Sequence, residues 1–237
     1  MTSRKLLRLA RAALAHGGSD IRLARRAIRE HGAMQRLWEL ASLVGLVREL
    51  RPRTVVEIGT FRGGTLACWS ALAAADARLV CLDLLDPTYG IVETDAHDAH
   101  LRRLVARGQQ LTFLPRDSQD PATAAAVAAA LGGSAVDFLW IDGDHRDAGV
   151  RRDFALYGPM VRPGGLIAFH DIHPDPRFPD NQSHHLWREL RQTGDVTEFI
   201  DQDHPGGAGM GIGVLRVGAA GVGGAPGVLR VSGAPRA

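Results

Sequence analysis

The stretch that decides the fold is Thr54–Leu66, which reads T-V-V-E-I-G-T-F-R-G-G-T-L. An apolar, largely β-branched run carries one acid, Glu57, and ends at Gly59; Gly63 and Gly64 follow, and a segment containing Ala and Leu then begins. Glycines let backbone N–H groups approach a ligand closely, and a helix N-terminus favours a negative group there. The pattern predicts a strand, a glycine turn and a helix start. It is typical of a ligand site, although some βα turns are merely tight.

Strands and helical patterns alternate from this stretch onward. Predicted strands cover residues 54–58, 79–82, 111–114, 136–141 and 166–169, and predicted helices cover 64–75, 94–107, 122–131 and 146–158. A helix over 184–193 precedes two strands, 196–200 and 211–217, whose joining segment is too short for a crossover helix. We therefore expect an α/β fold with a Rossmann-like seven-stranded sheet, mostly parallel with an antiparallel last strand, and helices on both faces.

The segments on either side of the sheet differ from it in composition. Residues 1–50 form an N-terminal helical extension, with amphipathic segments predicted at 4–15, 20–31 and 34–50. Residues 51–217 form the α/β domain, and residues 218–237 are a flexible tail rich in Gly, Ala and Pro. The 237 residues suffice for one such domain with a small appendage.

The charge is concentrated near the N-terminus. Residues 1–54 hold twelve basic and four acidic side chains, although the whole chain carries only +2. A nucleic-acid site is one interpretation, and we favour a solvated helical face because the arginines are not interleaved with aromatic residues. No apolar run approaches the roughly 18–20 residues of a membrane span. Arg8 and Arg11 interrupt what would otherwise resemble a signal peptide, so we expect a cytoplasmic protein.

Polar residues or glycines follow each of the first five predicted strands. In chain order they are Gly59 and Thr60, Asp83, Asp117 and Ser118, Asp142 to His145, and His170 with Asp171. Ligands of open α/β sheets bind outside the carboxyl ends of the strands. A loop cap explains any one of these acids, but five polar strand ends in succession predict a binding site along this edge.

Two cofactor classes share the acid that closes the second strand. Asp83 lies 24 residues after Gly59, where a carboxylate accepts hydrogen bonds from both ribose hydroxyls of a nicotinamide cofactor or of S-adenosylmethionine (SAM). A dinucleotide fingerprint requires G-x-G-x-x-G, and Phe61 occupies the second glycine position. Because a phenylalanine there would obstruct a pyrophosphate, a NAD-type oxidoreductase is the second candidate.

Four motifs in order resemble those of class I SAM-dependent methyltransferases. They are V-V-E-I-G-T-F-R-G-G-T-L, V-C-L-D-L, D-F-L-W-I-D-G-D-H and P-G-G-L-I-A-F-H-D-I. They are most similar to the metal-dependent branch of catechol-type, sugar and cephalosporin-type O-methyltransferases, over roughly residues 34–217. The resemblance implies that residues 51–217 are a SAM-binding catalytic domain. It also implies methyl transfer to a hydroxyl of a small molecule, such as a sugar or a phenolic natural product.

The same resemblance implies roles for individual residues. The cofactor-binding set is Glu57, Gly59, Thr60, Gly63, Gly64, Thr65, Asp83, Asp117, Ser118 and Asp142. Within this set, the residues of the first motif would hold the methionine end of SAM. Asp83 would bind the ribose, and Asp117 with Ser118 would lie beside the adenine.

In metal-dependent members of this branch, an acid after strand four and a pair after strand five bind the metal. The matching positions are Asp142, His170 and Asp171, and His145 matches the general base three residues beyond the first acid. His170 departs from the pattern, since Mg²⁺ prefers oxygen ligands and imidazole suits transition metals. Three arrangements are open: Mg²⁺ on Asp142 and Asp171 alone, a metal such as Mn²⁺ or Zn²⁺ that accepts His170, or no metal.

The partners are less sharply defined than the cofactor. Tyr89, Trp187 and the loop 172–182 are candidates for the acceptor pocket, although the sequence does not identify the acceptor. The N-terminal helices are candidates for packing between subunits of a homo-oligomer. An RNA-directed methyltransferase or RNA-binding protein that uses the basic N-terminus is a further alternative.

Overall fold

Helices and strands alternate along the chain as the sequence pattern predicts. The computed structural model describes residues 18–84, 94–202, 204 and 210–222. The strands are β1 Thr54–Ile58, β2 Arg78–Leu82, β3 Gln110–Leu114, β4 Val136–Ile141, β5 Val161–His173, β6 Asp195–Phe199 and β7 Met210–Arg216. The helices are α1 over residues 18–31, α2 Leu37–Leu50, α3 Gly64–Leu72, α4 Thr94–Leu104, α5 Pro121–Leu131, α6 Asp147–Tyr157 and α7 Ser183–Thr193. The predicted helix 4–15 lies outside the described residues.

The seven strands form one sheet in the order β3-β2-β1-β4-β5-β7-β6. Strand β1 pairs in parallel with β2 and β4, and the same parallel pairing continues to β3 on one side and to β5 on the other. Strand β7 lies antiparallel between β5 and β6. The predicted seven-stranded sheet with an antiparallel last strand is confirmed. Because the strand order reverses between β1 and β4, a crevice opens at the carboxyl ends of these two strands.

Both faces of the sheet are buried, since successive side chains of a strand point to opposite sides. Val55 of β1 belongs to one apolar cluster, with residues of α1 to α4. Its neighbour Val56 belongs to the second, with residues of α5 to α7. Burial on both faces explains why the central strands read as nearly continuous apolar runs. The predicted helices on both faces are confirmed.

Strand β5 is longer than the sequence predicts. The segment Pro163-Gly164-Gly165 reads as a turn, yet it lies inside the strand because Gly164 N donates to Val217 O at 2.8 Å. At the other end the pairing with β7 shifts register between His170 and His173, and Asp171 takes a φ of 59°. Such a bulge turns a side chain out of the regular alternation. The bulge therefore determines where Asp171 is presented at the edge of the sheet.

The chain beyond β7 remains in contact with the core where it is described. Val222 is buried in the second apolar cluster, and residues 223–237 lie outside the described part. Among the helices that the structure describes, none is long and apolar enough to cross a membrane.

Candidate active site

The backbone amides of the turn between β1 and α3 donate hydrogen bonds to the end of β2 and to Asp83. Gly59 N and Thr60 N donate to Leu82 O at 2.9 and 3.3 Å. Phe61 N donates to the Asp83 carboxylate. These amides already have acceptors, so they are not free to bind a pyrophosphate in the way a dinucleotide turn requires. This geometry agrees with the low rank that the sequence gives to a NAD-type site.

Two glycines of this turn are needed for close backbone contacts. Gly59 has a φ of +84°, and a Cβ there would lie 2.1 Å from the Asp142 carbonyl oxygen. A Cβ on Gly64 would lie 2.3 Å from Ala33 N. Asp142 N also donates to Ile58 O at 2.9 Å, so the ends of β1 and β4 are held together. The turn is thereby brought directly beside Asp142.

A cavity of about 890 Å³ runs along the carboxyl ends of β1 to β5. Residues from all five predicted strand ends line it, namely Gly59, Thr60, Gly64, Thr65, Asp83, Asp117, Ser118, Asp142, His145, His170 and Asp171. Its volume falls within the range usual for small-molecule sites. The structure therefore brings most of the residues singled out from the sequence into one site.

Glu57 and Gly63 belong to the sequence-derived set but do not line the cavity. Glu57 is fully buried and accepts a hydrogen bond from Trp69 Nε1 at 2.9 Å. Burial raises its pKa to about 8, although hydrogen bonds from Thr65 and Trp69 act in the opposite direction. Gly63, with a φ of +80°, packs against α4 through Leu101. Both residues therefore contribute to the packing of the turn on the side away from the cavity.

The predicted nucleoside end of the cavity contains Asp83, Asp117 and Ser118. Burial raises the pKa of the Asp83 carboxyl, although amide N–H groups that include that of Phe61 counteract it. Asp117 is exposed, and its Oδ1 accepts from Gln119 N at 2.9 Å. These carboxylates face the opening and are suited to accept hydrogen bonds from a ligand's hydroxyl or amino groups.

At the other end, Asp142 is surrounded by nitrogen atoms. Its Oδ1 lies 2.9 Å from His170 Nδ1 and 3.5 Å from His145 Nε2. Its Oδ2 accepts from Gln35 Nε2 at 2.7 Å. The carboxylate is therefore fixed from both sides, by one residue of β5 and by one residue of the segment before α2.

Asp171 lies on the opposite side of His145. Its Oδ2 is 2.9 Å from His145 Nδ1 and 3.6 Å from His170 Nδ1, and it accepts a hydrogen bond from Asn181 Nδ2. Gln182 N also donates to His145 O at 2.7 Å. The loop after β5 therefore holds the backbone of His145, while Asp171 faces its ring.

The charges of this cluster oppose the effect of burial. Burial lowers the pKa of His145, but contact with Asp171 and the charge of Asp142 outweigh it and leave the pKa above its usual value. The same balance raises the pKa of His170 to about 9, chiefly through Asp142. Burial raises the pKa of Asp171, yet its histidine neighbours lower it overall. The cluster thus favours ionised carboxylates next to a cationic His170 imidazole.

Three side chains are close enough to share one cation. Ligand atoms of Asp142, His145 and His170 all lie within 4.8 Å of one another. The resemblance implies Asp142, His170 and Asp171 as the metal ligands, whereas this group contains His145 in place of Asp171. Asp171 Oδ2 accepts a hydrogen bond from Asn181. Two imidazoles and one carboxylate form a donor set that suits transition metals better than Mg²⁺.

Sequence reasoning missed one residue of the site, Gln35, which binds Asp142. Asn181, which binds Asp171, belongs to the loop 172–182 that the sequence analysis names as a candidate for the acceptor pocket. Gln35 lies neither in a motif nor after a parallel strand, so only the tertiary structure identifies it. Of the acceptor-pocket candidates, Trp187 is buried and donates to Glu198 Oε1 at 2.7 Å, away from the cavity. Tyr89 lies outside the described residues, and the loop 172–182 contributes Phe178, Asp180 and Asn181 to the lining.

The fold and the position of the cavity agree with the class I SAM-dependent methyltransferase that the four motifs imply. Residues 56–172, which are 117 of the 237 residues, match the family described as a methyltransferase domain. A segment of 128 residues is 32% identical to the uncharacterized protein y4gI of Sinorhizobium fredii (strain NBRC 101917 / NGR234), covering 53% of this chain. The chain spans between 14% and 51% of the length of the curated relatives it matches.

Solved structures show the same fold. The O-methyltransferase TomG from Streptomyces achromogenes, in complex with SAM, is 20% identical with a TM-score of 0.54, covering 84% of this chain and 90% of that chain. The methyltransferase MycE of the mycinamycin pathway, in complex with Mg and S-adenosylhomocysteine (SAH), is 20% identical with a TM-score of 0.53. That likeness covers 88% of this chain and 57% of that one.

Proposed function

We propose that this protein moves the methyl group of SAM to a hydroxyl oxygen of a small molecule, with His145 as the general base. The observation that carries the proposal is the cluster of His145 between Asp142 and Asp171, in the same cavity that Asp83 lines. The same cavity therefore contains a carboxylate, Asp83, that can bind the ribose of SAM and a base, His145, for the methyl acceptor.

The cofactor lies across the tips of the parallel strands in this proposal. Its ribose binds Asp83 and its adenine lies beside Asp117 and Ser118. Its methionine carboxylate faces the N-terminus of α3, where the helix dipole favours a negative group. Gly59, Thr60, Gly64 and Thr65 line that end of the cavity. Glu57 and Gly63 lie outside this lining and contribute to the packing of the turn. The SAM and SAH complexes of TomG and MycE support the choice of cofactor.

The methyl donor needs no activation in this reaction, whereas the acceptor hydroxyl does. The methyl group on a sulfonium is already electrophilic, so the protein must align donor and acceptor and remove a proton from the hydroxyl. His145 accepts this proton at Nε2, while Asp171, 2.9 Å from Nδ1, orients the ring and stabilises the imidazolium that forms.

A divalent cation is the second component of the proposal. The mixed nitrogen and oxygen donors fit a transition metal, which Asp142 and His170 would hold. Asp171, whose Oδ2 lies 3.6 Å from His170 Nδ1, is the third candidate ligand. His145 remains outside this set, because a nitrogen that binds a cation cannot also take up a proton. When bound, such an ion would lower the pKa of an acceptor hydroxyl. MycE, crystallised with Mg, supports a cation in this branch.

TomG and MycE belong to tomaymycin and mycinamycin synthesis, so we extend the proposal to an acceptor of natural-product type. The cytoplasmic location and assembly through the N-terminal helices belong to the same proposal.

Thermal unfolding tests the cofactor assignment. A ligand that binds only the folded state raises the melting temperature, by an amount that grows with the ratio of its free concentration to its Kd. We expect SAH to raise it and NADH to leave it unchanged at equal concentration. Stabilisation by NADH alone would overturn the proposal in favour of an oxidoreductase. RNA binding that falls steeply with salt would instead support a nucleic-acid substrate.

A further inference from the structure

Asp153 is a buried acid that the proposed mechanism does not use. It lies on α6 with none of its surface exposed, at 0%, and neither of its carboxyl oxygens forms a hydrogen bond with a described residue. Burying a carboxyl without a donor costs free energy, and most buried polar groups have a partner. The position of this acid must therefore be explained by what lies around it.

The Asp153 carboxyl lies behind the wall of the cavity. A Cβ on Gly143, which lines the cavity, would lie 3.7 Å from Asp153 Oδ2. Ser118 also lines the cavity, and its hydroxyl is close enough to lower the pKa of Asp153 without reaching hydrogen-bond geometry. The acid is thus next to wall residues that follow two different strands, β3 and β4.

Helix α6 also holds the backbone of the loop after β3. Tyr157 OH, one helical turn beyond Asp153, donates to Ser118 O at 2.8 Å. Arg152 Nε donates to Gln119 O at 3.2 Å. Because the backbone at Ser118 is fixed in this way, its hydroxyl can still rotate while its Cα stays in place. Asp153 is the group of α6 that acts on this hydroxyl.

The surroundings of Asp153 favour its neutral form. Burial raises its pKa to about 7, and although Ser118 counteracts this, the negative charges of Asp144 and Asp117 add to it. Tyr157 faces the carboxyl from the same helix, and burial together with the charge of Asp153 raises its pKa. A neutral carboxyl has one O–H donor, whereas an ionised one can only accept hydrogen bonds.

We infer that Asp153 positions the Ser118 hydroxyl from behind the cavity wall and thereby helps to set the affinity for the nucleoside. This inference rests on the proposed function, in which the adenine lies beside Ser118, and deepens it. The neutral acid donates its O–H to Ser118 Oγ, which leaves the Ser118 O–H free to bind the ligand. The ionised acid instead accepts the Ser118 O–H and turns it away from the cavity.

Binding and protonation are coupled in this arrangement. The form of the protein that binds the nucleoside more tightly is the one that keeps the proton on Asp153, so the complex holds this proton more strongly than the free protein does. The affinity for SAH should therefore fall as pH rises through the pKa of Asp153, about 7.

Calorimetric titration with SAH from pH 6 to pH 8.5 tests the coupling. We expect the affinity of the wild-type protein to fall about five- to tenfold over this range. The affinity of Asp153→Asn should stay nearly constant, because its amide N–H can donate to Ser118 Oγ at every pH. At pH 6, Asp153→Asn should be within about twofold of wild type, whereas Asp153→Leu, which has no donor, should bind about fivefold more weakly. A purely structural role would lower the affinity without changing its pH profile.

Asp147→Asn is the matched control, since it makes the same change on the same helix. Asp147 lies outside the cavity lining and pairs with Arg151 at 2.9 Å, so this variant should keep the wild-type pH profile. Ser118→Ala tests the route of the effect. In that background Asp153→Leu should lower the affinity no further, because residues that act through one contact are not additive.

Parallel pH profiles of wild type and Asp153→Asn would overturn the inference. Additive losses in the double variant Ser118→Ala/Asp153→Leu would overturn it as well, because Asp153 would then not act through Ser118. In both cases SAH still binds the wild-type protein, so the proposed function stands. If SAH does not bind the wild-type protein at any pH, the proposed function fails and the inference fails with it.

Discussion

Carboxylates face both ring nitrogens of His145, since Asp171 Oδ2 lies 2.9 Å from Nδ1 and Asp142 Oδ1 lies 3.5 Å from Nε2. Its side chain still keeps about a third of its surface exposed toward the cavity, at 32%. A base needs both properties, an oriented ring and access to the proton that it removes. We therefore expect His145→Ala to lower turnover by about two to four orders of magnitude. SAH affinity, measured by calorimetry, should be nearly unchanged.

His185→Ala is the control for this variant, because His185 is exposed on α7 outside the cavity lining and should keep full turnover. Full activity of His145→Ala would remove His145 as the base. Equal losses in both variants would indicate a general effect on the fold instead.

Glu57 predicts a pH dependence of stability. Its pKa is about 8 in the folded protein, against an ordinary value of 4.5, because burial disfavours its charged form. Between these values the folded state retains a proton that the unfolded state has released. The free energy of unfolding therefore falls as pH rises, by at most about 1.4 kcal/mol per unit.

Glu57→Gln removes this proton while keeping an oxygen for Trp69 Nε1. Denaturant unfolding from pH 5 to pH 8 should show a shallower fall in the variant and greater stability than wild type at pH 8. Glu30→Gln, at an exposed position of α1, should retain the wild-type slope. Identical slopes for Glu57→Gln and wild type would contradict the assigned pKa.

The residues at the strand ends could be predicted because parallel strands place their carboxyl ends at one edge. Asp83, Asp142 and His145 follow from that rule alone. Gln35 could not be predicted, since its bond to Asp142 joins residues 107 apart in the chain. The motif also does not predict the side-chain direction of Glu57, because a strand residue can point to either face of the sheet.

At the scale of elements, the β1–α3 turn and the tip of β4 share one close contact through Gly59. A substitution there adds a steric clash to the strain of a positive φ. Gly133, just after the end of α5, has a similar φ of +81° but nothing within 4 Å of an added Cβ. Comparison of the two positions separates the clash from the strain.

Gly133→Ala should cost about 1–2 kcal/mol of unfolding free energy, the usual penalty for an L-residue in this region. Gly59→Ala should cost at least about 2 kcal/mol more and weaken SAH binding, because the tip carrying Asp142 must shift. Urea unfolding measures both values. Equal costs would show that the contact with Asp142 does not constrain the turn.

Among the elements, β1 to β4 follow closely from their apolar runs. Strand β5 does not, because Pro163-Gly164-Gly165 has the local chemistry of a turn and only its pairing with residue 217 makes it part of a strand. The bulge at Asp171 likewise depends on pairing with β7. The local sequence pattern predicts a strand well where both faces of the strand are buried. It fails where pairing with a strand distant in the sequence determines the structure.

At the scale of the whole molecule, the N-terminal segment takes part in the site. Arg36 Nη1 donates to Asp201 O at 3.0 Å, and Glu39 Oε1 accepts from Asp201 N at 2.8 Å. The segment that supplies Gln35 is therefore joined to the region that follows β6. The division at residue 50 stays a prediction, although α1 and α2 contribute to a shared core.

The cation proposal also concerns the whole enzyme. Exhaustive chelation should lower turnover, and Mn²⁺ should restore it better than Mg²⁺, because His170 supplies an imidazole nitrogen to the donor set. SAH affinity should be unaffected, which separates loss of the ion from loss of the cofactor site. Undiminished turnover after chelation would rule out a catalytic metal.

The most direct test of the central claim is a crystal structure of the protein with SAH. We predict density for the nucleoside across the tips of β1, β2 and β4, with both ribose hydroxyls within hydrogen-bond distance of the Asp83 carboxylate. The sulfur should face the end of the cavity that holds His145. An empty cavity at saturating SAH, or a nucleoside bound away from Asp83, would contradict the account.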